Sequence, residues 1–178
     1  SDGAGEVEGT GARVMGRLPG SFAEYALMDA SDAIPVPANL SWEEAAAIPI
    51  AFLVVYDMLA QQGKLKAGEW LLIAGASSGV GVAALLAAKA IGAKVIGTSG
   101  SSQKLQSLKR LGLDLGIETR KSDFHKTVLE ATDGKGVDLV INNVGGTMFA
   151  ETIKCLGYEG RHATVGYLHE LTGDHDAA

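Results

Sequence analysis

The chain of 178 residues has 47% hydrophobic and 20% charged residues and a formal net charge of −6. This is room for one α/β domain, or one domain plus part of another; the balance excludes a disordered chain, and the acidic charge excludes the basic field of a nucleic-acid binder. The single cysteine, Cys155, excludes a disulfide framework and a four-cysteine zinc lobe, and no apolar run approaches the ~20 residues of a membrane span. A cytoplasmic protein with neither nucleic-acid nor membrane partners is expected.

The start, Ser1-Asp2-Gly3-Ala4-Gly5-Glu6, lacks the basic and apolar regions of a signal peptide and reads like the interior of a longer protein. Up to about Asn39 only short extended pieces are expected. Phe22-Ala23-Glu24-Tyr25-Ala26-Leu27 alternates like a strand and Ile34-Pro35-Val36-Pro37 is extended, but this region is not expected to close a core of its own. A helix then begins at Ser41, whose hydroxyl and Glu44 three residues later make a capping box. Its run Ala45 to Leu59 is apolar nearly all round, so burial is expected, with Gly63 ending it.

From Gly68 the pattern becomes regular. Apolar strands are predicted at 70–74, 94–98, 113–117, 137–142 and 160–166, alternating with helices near 79–91, 102–111, 122–131 and 147–156. This spacing implies βαβ units and a parallel sheet covered on both faces. The 24 glycines against 4 prolines suit a fold with several tight strand-to-helix turns.

The most informative segment is Gly75-Ala76-Ser77-Ser78-Gly79-Val80-Gly81, between a predicted strand and a predicted helix. Small residues there let the backbone approach a pyrophosphate, and the helix N-terminus offers free N–H groups and the positive end of its dipole. A plain glycine-rich surface turn is the bland alternative, and the βαβ context weighs against it. No Gly-Lys-Ser/Thr follows, which argues against a P-loop. The end of the second strand reads Thr98-Ser99-Gly100-Ser101-Ser102-Gln103-Lys104. It has no acid to take the ribose hydroxyls of NAD. Its hydroxyls and Lys104, helped by Arg120 and Lys121, could instead hold the 2′-phosphate of NADPH; an ordinary polar loop with a solvated lysine is the alternative. Asn142-Asn143-Val144-Gly145 and Gly166-Tyr167 end the fourth and fifth strands at the carboxyl edge, where open α/β sheets bind ligands, although turn chemistry alone would also explain them.

From Trp42 to Gly166 the chain resembles the medium-chain dehydrogenase/reductase superfamily, in its zinc-free NADPH:quinone oxidoreductase (zeta-crystallin-like) branch. The resemblance is carried by Leu40-Ser41-Trp42-Glu43-Glu44-Ala45-Ala46-Ala47-Ile48-Pro49, Leu65-Lys66-Ala67-Gly68-Glu69, the glycine loop, Lys94 to Ser101 and Asn143-Val144-Gly145-Gly146. It implies an α/β Rossmann domain with a doubly wound parallel sheet at 40–178, and a remnant of a GroES-like β domain at 1–39. It implies hydride transfer from NADPH to a quinone or an α,β-unsaturated carbonyl, with a small-molecule acceptor, no metal, and a homodimer of the kind that members form through their last strands. The cofactor-binding set is then Gly75, Ala76, Ser77, Ser78, Gly79, Val80, Gly81, Thr98, Ser99, Gly100, Ser101, Lys104, Thr119, Asn143, Val144, Gly145, Gly166 and Tyr167, with Lys104 matching the family's phosphate-binding lysine.

Departures from the pattern are Ser78 in a frequent glycine slot, Val54 where a threonine is common, and Thr119 where some members have a tyrosine against the adenosine. Gly9 to Val14 reads as two family segments joined without the residues between them, and Gly173 to Ala178 stops before the family's last strand, so a fragment is expected.

No catalytic residue is assigned; Tyr56 is the nearest polar candidate on the apolar helix, and a packed core tyrosine is the alternative. The Tyr-x-x-x-Lys pair of short-chain dehydrogenases is missing, since Asp29, Ala60, His162 and Leu171 follow the four tyrosines at that spacing. One cysteine and four scattered histidines offer no catalytic zinc cluster, His125 being expected on an exposed helix face and Cys155 in a buried helix. The remaining readings are a non-catalytic NADPH-binding module or redox sensor, and an enoyl reductase domain of a polyketide-type synthase, which would need flanking domains or a carrier-protein docking surface.

Overall fold

The computed structural model describes residues 1–119 and 123–166. The chain forms two compact units, Ser1–Leu53 and Val54–Ala178. In the first, β1 (Asp2–Glu6), β2 (Arg13–Arg17) and β3 (Ile34–Pro35) make an antiparallel sheet in the order β1-β2-β3. Helix α1 (Trp42–Ala46) starts at the Ser41–Glu44 capping box, whose two reciprocal hydrogen bonds are 3.2 and 2.9 Å long.

A small core forms in this unit, and it draws on residues beyond Asn39 as well as on the strands before it. Met15, Val36 and Ala45 are buried together, with Ala4, Leu40 and Ile48 against them. The strand expected at Phe22–Leu27 does not form: the segment pairs with no strand, and Phe22, Tyr25 and Leu27 stand exposed. Alternation alone does not hold a strand without a partner to pair its backbone.

The single apolar helix expected to run through Leu59 is broken. Helix α2 (Pro49–Tyr56) begins afresh at a proline, which lacks the N–H that would continue α1 and disfavours helical backbone before it. A π-helical turn, Asp57–Gln62, follows. Nor is this stretch wholly buried: Val55 and Leu59 are, while Ile50, Leu53 and Tyr56, three residues apart, form an exposed stripe.

The second unit is built on a parallel sheet of β4 (Trp70–Ala74), β5 (Lys94–Ser99), β6 (Leu115–Glu118), β7 (Val137–Asn142) and β8 (Leu156–Thr164), in the order β6-β5-β4-β7-β8. Helices α3 (Gly79–Ile91), α4 (Ser102–Lys109), α5 (Phe124–Ala131) and α6 (Thr147–Ile153) make the crossovers. The sheet is covered on both faces, which is why its strands read as continuous apolar runs. Leu72, Ile96 and Val140 pack with Phe124 and Val128 of α5, and the alternate residues Leu71, Ile73, Val95, Leu139 and Ile141 are equally buried. The third strand lies two residues later than expected at its start, and the fifth begins at Leu156, where a longer α6 was expected. A bidentate ion pair fixes that last strand: Arg161 donates to Glu69 at 3.1 and 2.7 Å and to the Gly63 carbonyl at 2.8 Å.

Candidate functional site

The sheet order places the first strand, β4, between β5 and β7. The chain leaves β4 toward β5 and later returns to β7 on the other side, so the strand order reverses there. Such a switch point opens a crevice at the carboxyl ends of the strands. The described residues predicted for the site lie around those ends; Tyr167, Arg120 and Lys121 lie outside the described residues.

The glycine loop leaves β4 through Gly75, whose φ of 75° is readily adopted only without a Cβ. Its N–H donates to Thr98 Oγ1 at 3.2 Å, and the Ala76 N–H donates to the Thr98 carbonyl at 2.8 Å. Ser77 and Ser99 share a hydrogen bond between hydroxyls at 3.1 Å. Ser78 caps α3: its hydroxyl donates to the Gly75 carbonyl at 2.9 Å and accepts from the Gly81 N–H at 3.0 Å. Among the described residues the N–H groups of Gly79 and Val80, in the first turn of α3, have no backbone partner and are placed for an anion. Gly81 is needed for close packing, since a Cβ there would lie 2.6 Å from the Gly75 carbonyl oxygen and 2.7 Å from the Ala76 backbone.

The hydroxyls at the end of β5 divide into two roles. Thr98 is 1% exposed, and its side chain is committed to the loop. Ser99 is also buried and accepts from the Ser101 N–H at 3.3 Å. Ser101 caps α4 by accepting from the Lys104 N–H at 3.4 Å. That places Lys104, exposed, in the first turn of α4, with open space at Gly100 where a Cβ would stand. Thr119 follows β6 and donates its N–H to the Ser99 carbonyl at 3.1 Å.

Across the crevice, Asn142 accepts from the N–H groups of Val144 and Gly145 at 2.9 and 3.0 Å. This anchor was not among the predicted site residues, although an asparagine closing a strand two residues before a turn is a recognisable signal. Asn143 is 5% exposed, and neither its amide nitrogen nor its oxygen has a partner among the described residues. Val144 and Asn143 flank Gly75, their side-chain atoms 3.0 and 3.8 Å from where a Cβ on it would be. Gly166 follows β8, and the preceding N–H, of Val165, donates to the Asn142 carbonyl at 2.9 Å. A glycine cradle, unpaired first-turn donors and an orphaned buried amide fit a nicotinamide dinucleotide.

Three potential metal ligands, Asp123, His125 and Glu151, also lie close together. His125, expected on an exposed face, is largely covered and bonds through Nδ1 to Glu151 at 2.7 Å. Burial pushes the Glu151 carboxyl up, but hydrogen bonds from the His125 side chain and backbone and from Lys154 outweigh it and hold it at about 2. Lys126 and Lys154 pair with Asp123 and Glu151 at 3.3 and 3.1 Å, so both carboxylates already carry cationic partners. Cys155 is buried; burial, with the Glu151 charge adding to it, pushes its thiol up to about 12, the reverse of what a thiolate ligand needs.

A family model described as zinc-binding dehydrogenase matches residues 79–175. The chain is 38% identical over 163 residues to a phenolphthiocerol/phthiocerol polyketide synthase of Mycobacterium tuberculosis, covering 90% of this chain and 7% of that protein. It is 35% identical over 166 residues to a squalestatin tetraketide synthase of Phoma, covering 92% of this chain and 6% of that protein. The chain therefore spans a small fraction of the curated relatives it matches. Among solved structures, an NAD-dependent alcohol dehydrogenase superposes with a TM-score of 0.87 at 33% identity, over 94% of this chain and 61% of that one. A quinone oxidoreductase of Pseudomonas syringae gives 0.83 at 32%, over 93% and 55%. A mycobacterial protein solved with NADPH gives 0.86 at 27%, over 94% and 56%. The zinc in the family's description finds no fitting donor set among the described residues: a catalytic zinc needs about three ligands and an open position, and the one cluster present is already held by two lysines.

Proposed function

Because the chain belongs to the zinc-binding dehydrogenase family, we propose that it is the nucleotide-binding part of an NADPH-dependent, zinc-free medium-chain reductase that transfers hydride to an electron-poor acceptor. The observation that carries this reading is the crevice at the strand-order reversal, with the Gly75–Gly81 cradle on one side and the unpaired, buried Asn143 amide on the other. The first turn of α3 receives the pyrophosphate. Lys104 and Ser101 receive the 2′-phosphate, and no carboxylate stands in the Thr98 to Lys104 stretch to favour NADH. The cofactor, once bound, supplies the hydride; the chain's own residues hold it in place and in line.

The polyketide synthase relatives favour an α,β-unsaturated carbonyl over a quinone as acceptor. The chain then acts as the reductase portion of a larger synthase, which would supply the flanking domains that an enoyl reductase requires. Titration of the chain with NADPH and NADH, followed by nicotinamide fluorescence, tests the reading. A charge-assisted bond to Lys104 predicts that Lys104→Ala weakens NADPH by roughly ten- to a hundredfold and leaves NADH unchanged. Equal affinities for both cofactors in the wild-type chain would overturn the phosphate site.

A further inference from the structure

Glu151 joins two helices, each of which leaves a wall of the crevice. α5 follows β6 and Thr119, and α6 follows β7 and the Asn143–Gly146 turn, so both start at the carboxyl edge of the parallel sheet. They share a core through Phe124 and Val128 of α5 and Met148 of α6. Neither helix has a side-chain cap from its own N-cap residue: Asp123 precedes α5 at φ 71°, and Gly146 precedes α6 at φ 54°. The first-turn N–H groups of a helix need acceptors. For α5 the acceptor comes from α6: Glu151 Oε1 accepts from the His125 N–H at 3.1 Å and bonds to His125 Nδ1 at 2.7 Å. A carboxylate at a helix N-terminus also gains from the dipole. The Glu151 side chain is 14% exposed, so water competes little for these bonds. Lys154, on α6 itself, donates to the other oxygen at 3.1 Å. Thr152 in turn ties α6 to His162 of β8 at 3.1 Å.

We propose, resting on the NADPH reading, that Glu151 is a positioning residue: it clamps α6 to α5 and so sets the separation between the crevice walls after β6 and β7 that a whole dinucleotide spans. The turn between β7 and α6 holds Gly145 and Gly146 at φ of 72° and 54°. Glycine backbone is permissive and does not by itself fix the direction of the chain that follows. That direction is fixed by where α6 is held, and Glu151 holds it against α5. A whole dinucleotide has to reach both walls at once, and the gain from linking its two halves is lost when the walls shift. A half ligand needs one wall only and is indifferent to the separation. Glu151 therefore acts through His125 and the two helices, without touching the cofactor.

The test compares three alanine variants of the full 178-residue chain, each titrated with NADPH and with its adenosine half, 2′,5′-ADP. Glu151→Ala removes the clamp and should weaken NADPH by roughly tenfold or more, with 2′,5′-ADP unchanged. His125→Ala removes the side-chain bond between the helices and keeps the backbone one, so NADPH should weaken by roughly three- to fivefold. Lys154→Ala removes a bond to the same carboxylate, but one made within α6, and should leave NADPH binding as it is. Wild-type NADPH affinity in Glu151→Ala, a parallel loss of 2′,5′-ADP, or an equal loss from His125→Ala and Lys154→Ala would overturn the proposal. If Glu151→Ala does not fold, the contrast between the His125 and Lys154 variants decides alone. A wild-type chain that is folded and binds no NADPH overturns the cofactor reading itself, whereas normal wild-type binding with an indifferent Glu151 overturns the clamp alone.

Discussion

Gly81→Ala is the sharpest single perturbation of the glycine loop. Gly81 lies inside α3, so alanine is not excluded by backbone conformation; the obstacle is contact. Its Cβ would stand 2.6 Å from the Gly75 carbonyl oxygen and 2.7 Å from two backbone atoms of Ala76. These are main-chain atoms pinned by Thr98, and no rotamer change relieves them. Overpacking of this kind costs ~1–3 kcal/mol, and rigid backbone neighbours put it near ~3. Alanine returns ~1 kcal/mol of helix propensity. The net loss is about 2 kcal/mol, or roughly 4–8 °C in melting temperature for a domain of this size. Because relief must come from moving the loop away from α3, NADPH affinity should fall as well, by roughly tenfold or more. Gly79→Ala is the control: it lies in the same turn, with nothing within 4 Å of its added Cβ, and should leave the melting temperature unchanged or raise it. The assays are thermal unfolding by circular dichroism and NADPH fluorescence titration. A Gly81→Ala chain melting within about 1 °C of wild type would refute the close-packing argument.

Other outcomes follow from the charged and buried groups. Arg161→Ala should cost about 1–2 kcal/mol by urea unfolding, because it breaks a two-pronged, partly buried pair and leaves Glu69, at 18% side-chain exposure, with the Lys66 N–H but no cationic side-chain hydrogen bond. The arginine hydrogen bonds hold the Glu69 carboxyl below its ordinary 4.5, and Glu151 is held at about 2. Both folded values lie below the unfolded ones, so this stability is full above pH 4.5 and is lost as pH falls toward about 2; Glu151→Gln should flatten that acid limb in pH-dependent unfolding. His162, lowered from 6.5 by burial and bonded to Thr152 at 3.1 Å, should add a loss that begins as pH falls through 6.5, removed by His162→Gln. Cys155, with its thiol pushed up to about 12, should resist iodoacetamide at about pH 8 until the chain is unfolded in urea; rapid labelling of folded protein would contradict its burial.

The local grammar of the chain determined most elements of its larger unit. Trp70–Ala74 and Val137–Asn142 are apolar runs ended by turn residues, and α3 lies between a serine cap and Gly92 at φ of 90°, so each is fixed by residues within reach of one another. The capping box at Ser41 and the glycine loop were legible for the same reason. Tertiary structure decided whatever depends on a partner distant in sequence. Phe22–Leu27 has the alternation of a strand but no neighbour, while β1 and β2, with Gly3, Gly5 and Gly16 among their residues, become strands because they pair with each other. β8 extends back to Leu156 because Val137 offers it a ladder. The same distinction separates the site residues. Sequence brings Thr98 and Lys104 to one loop as equals, yet folding turns the Thr98 hydroxyl inward to hold Gly75 and leaves Lys104 in water. The unpaired state of Asn143 is likewise invisible in its neighbours along the chain, since hydrogen-bond satisfaction is set by what surrounds a group in space.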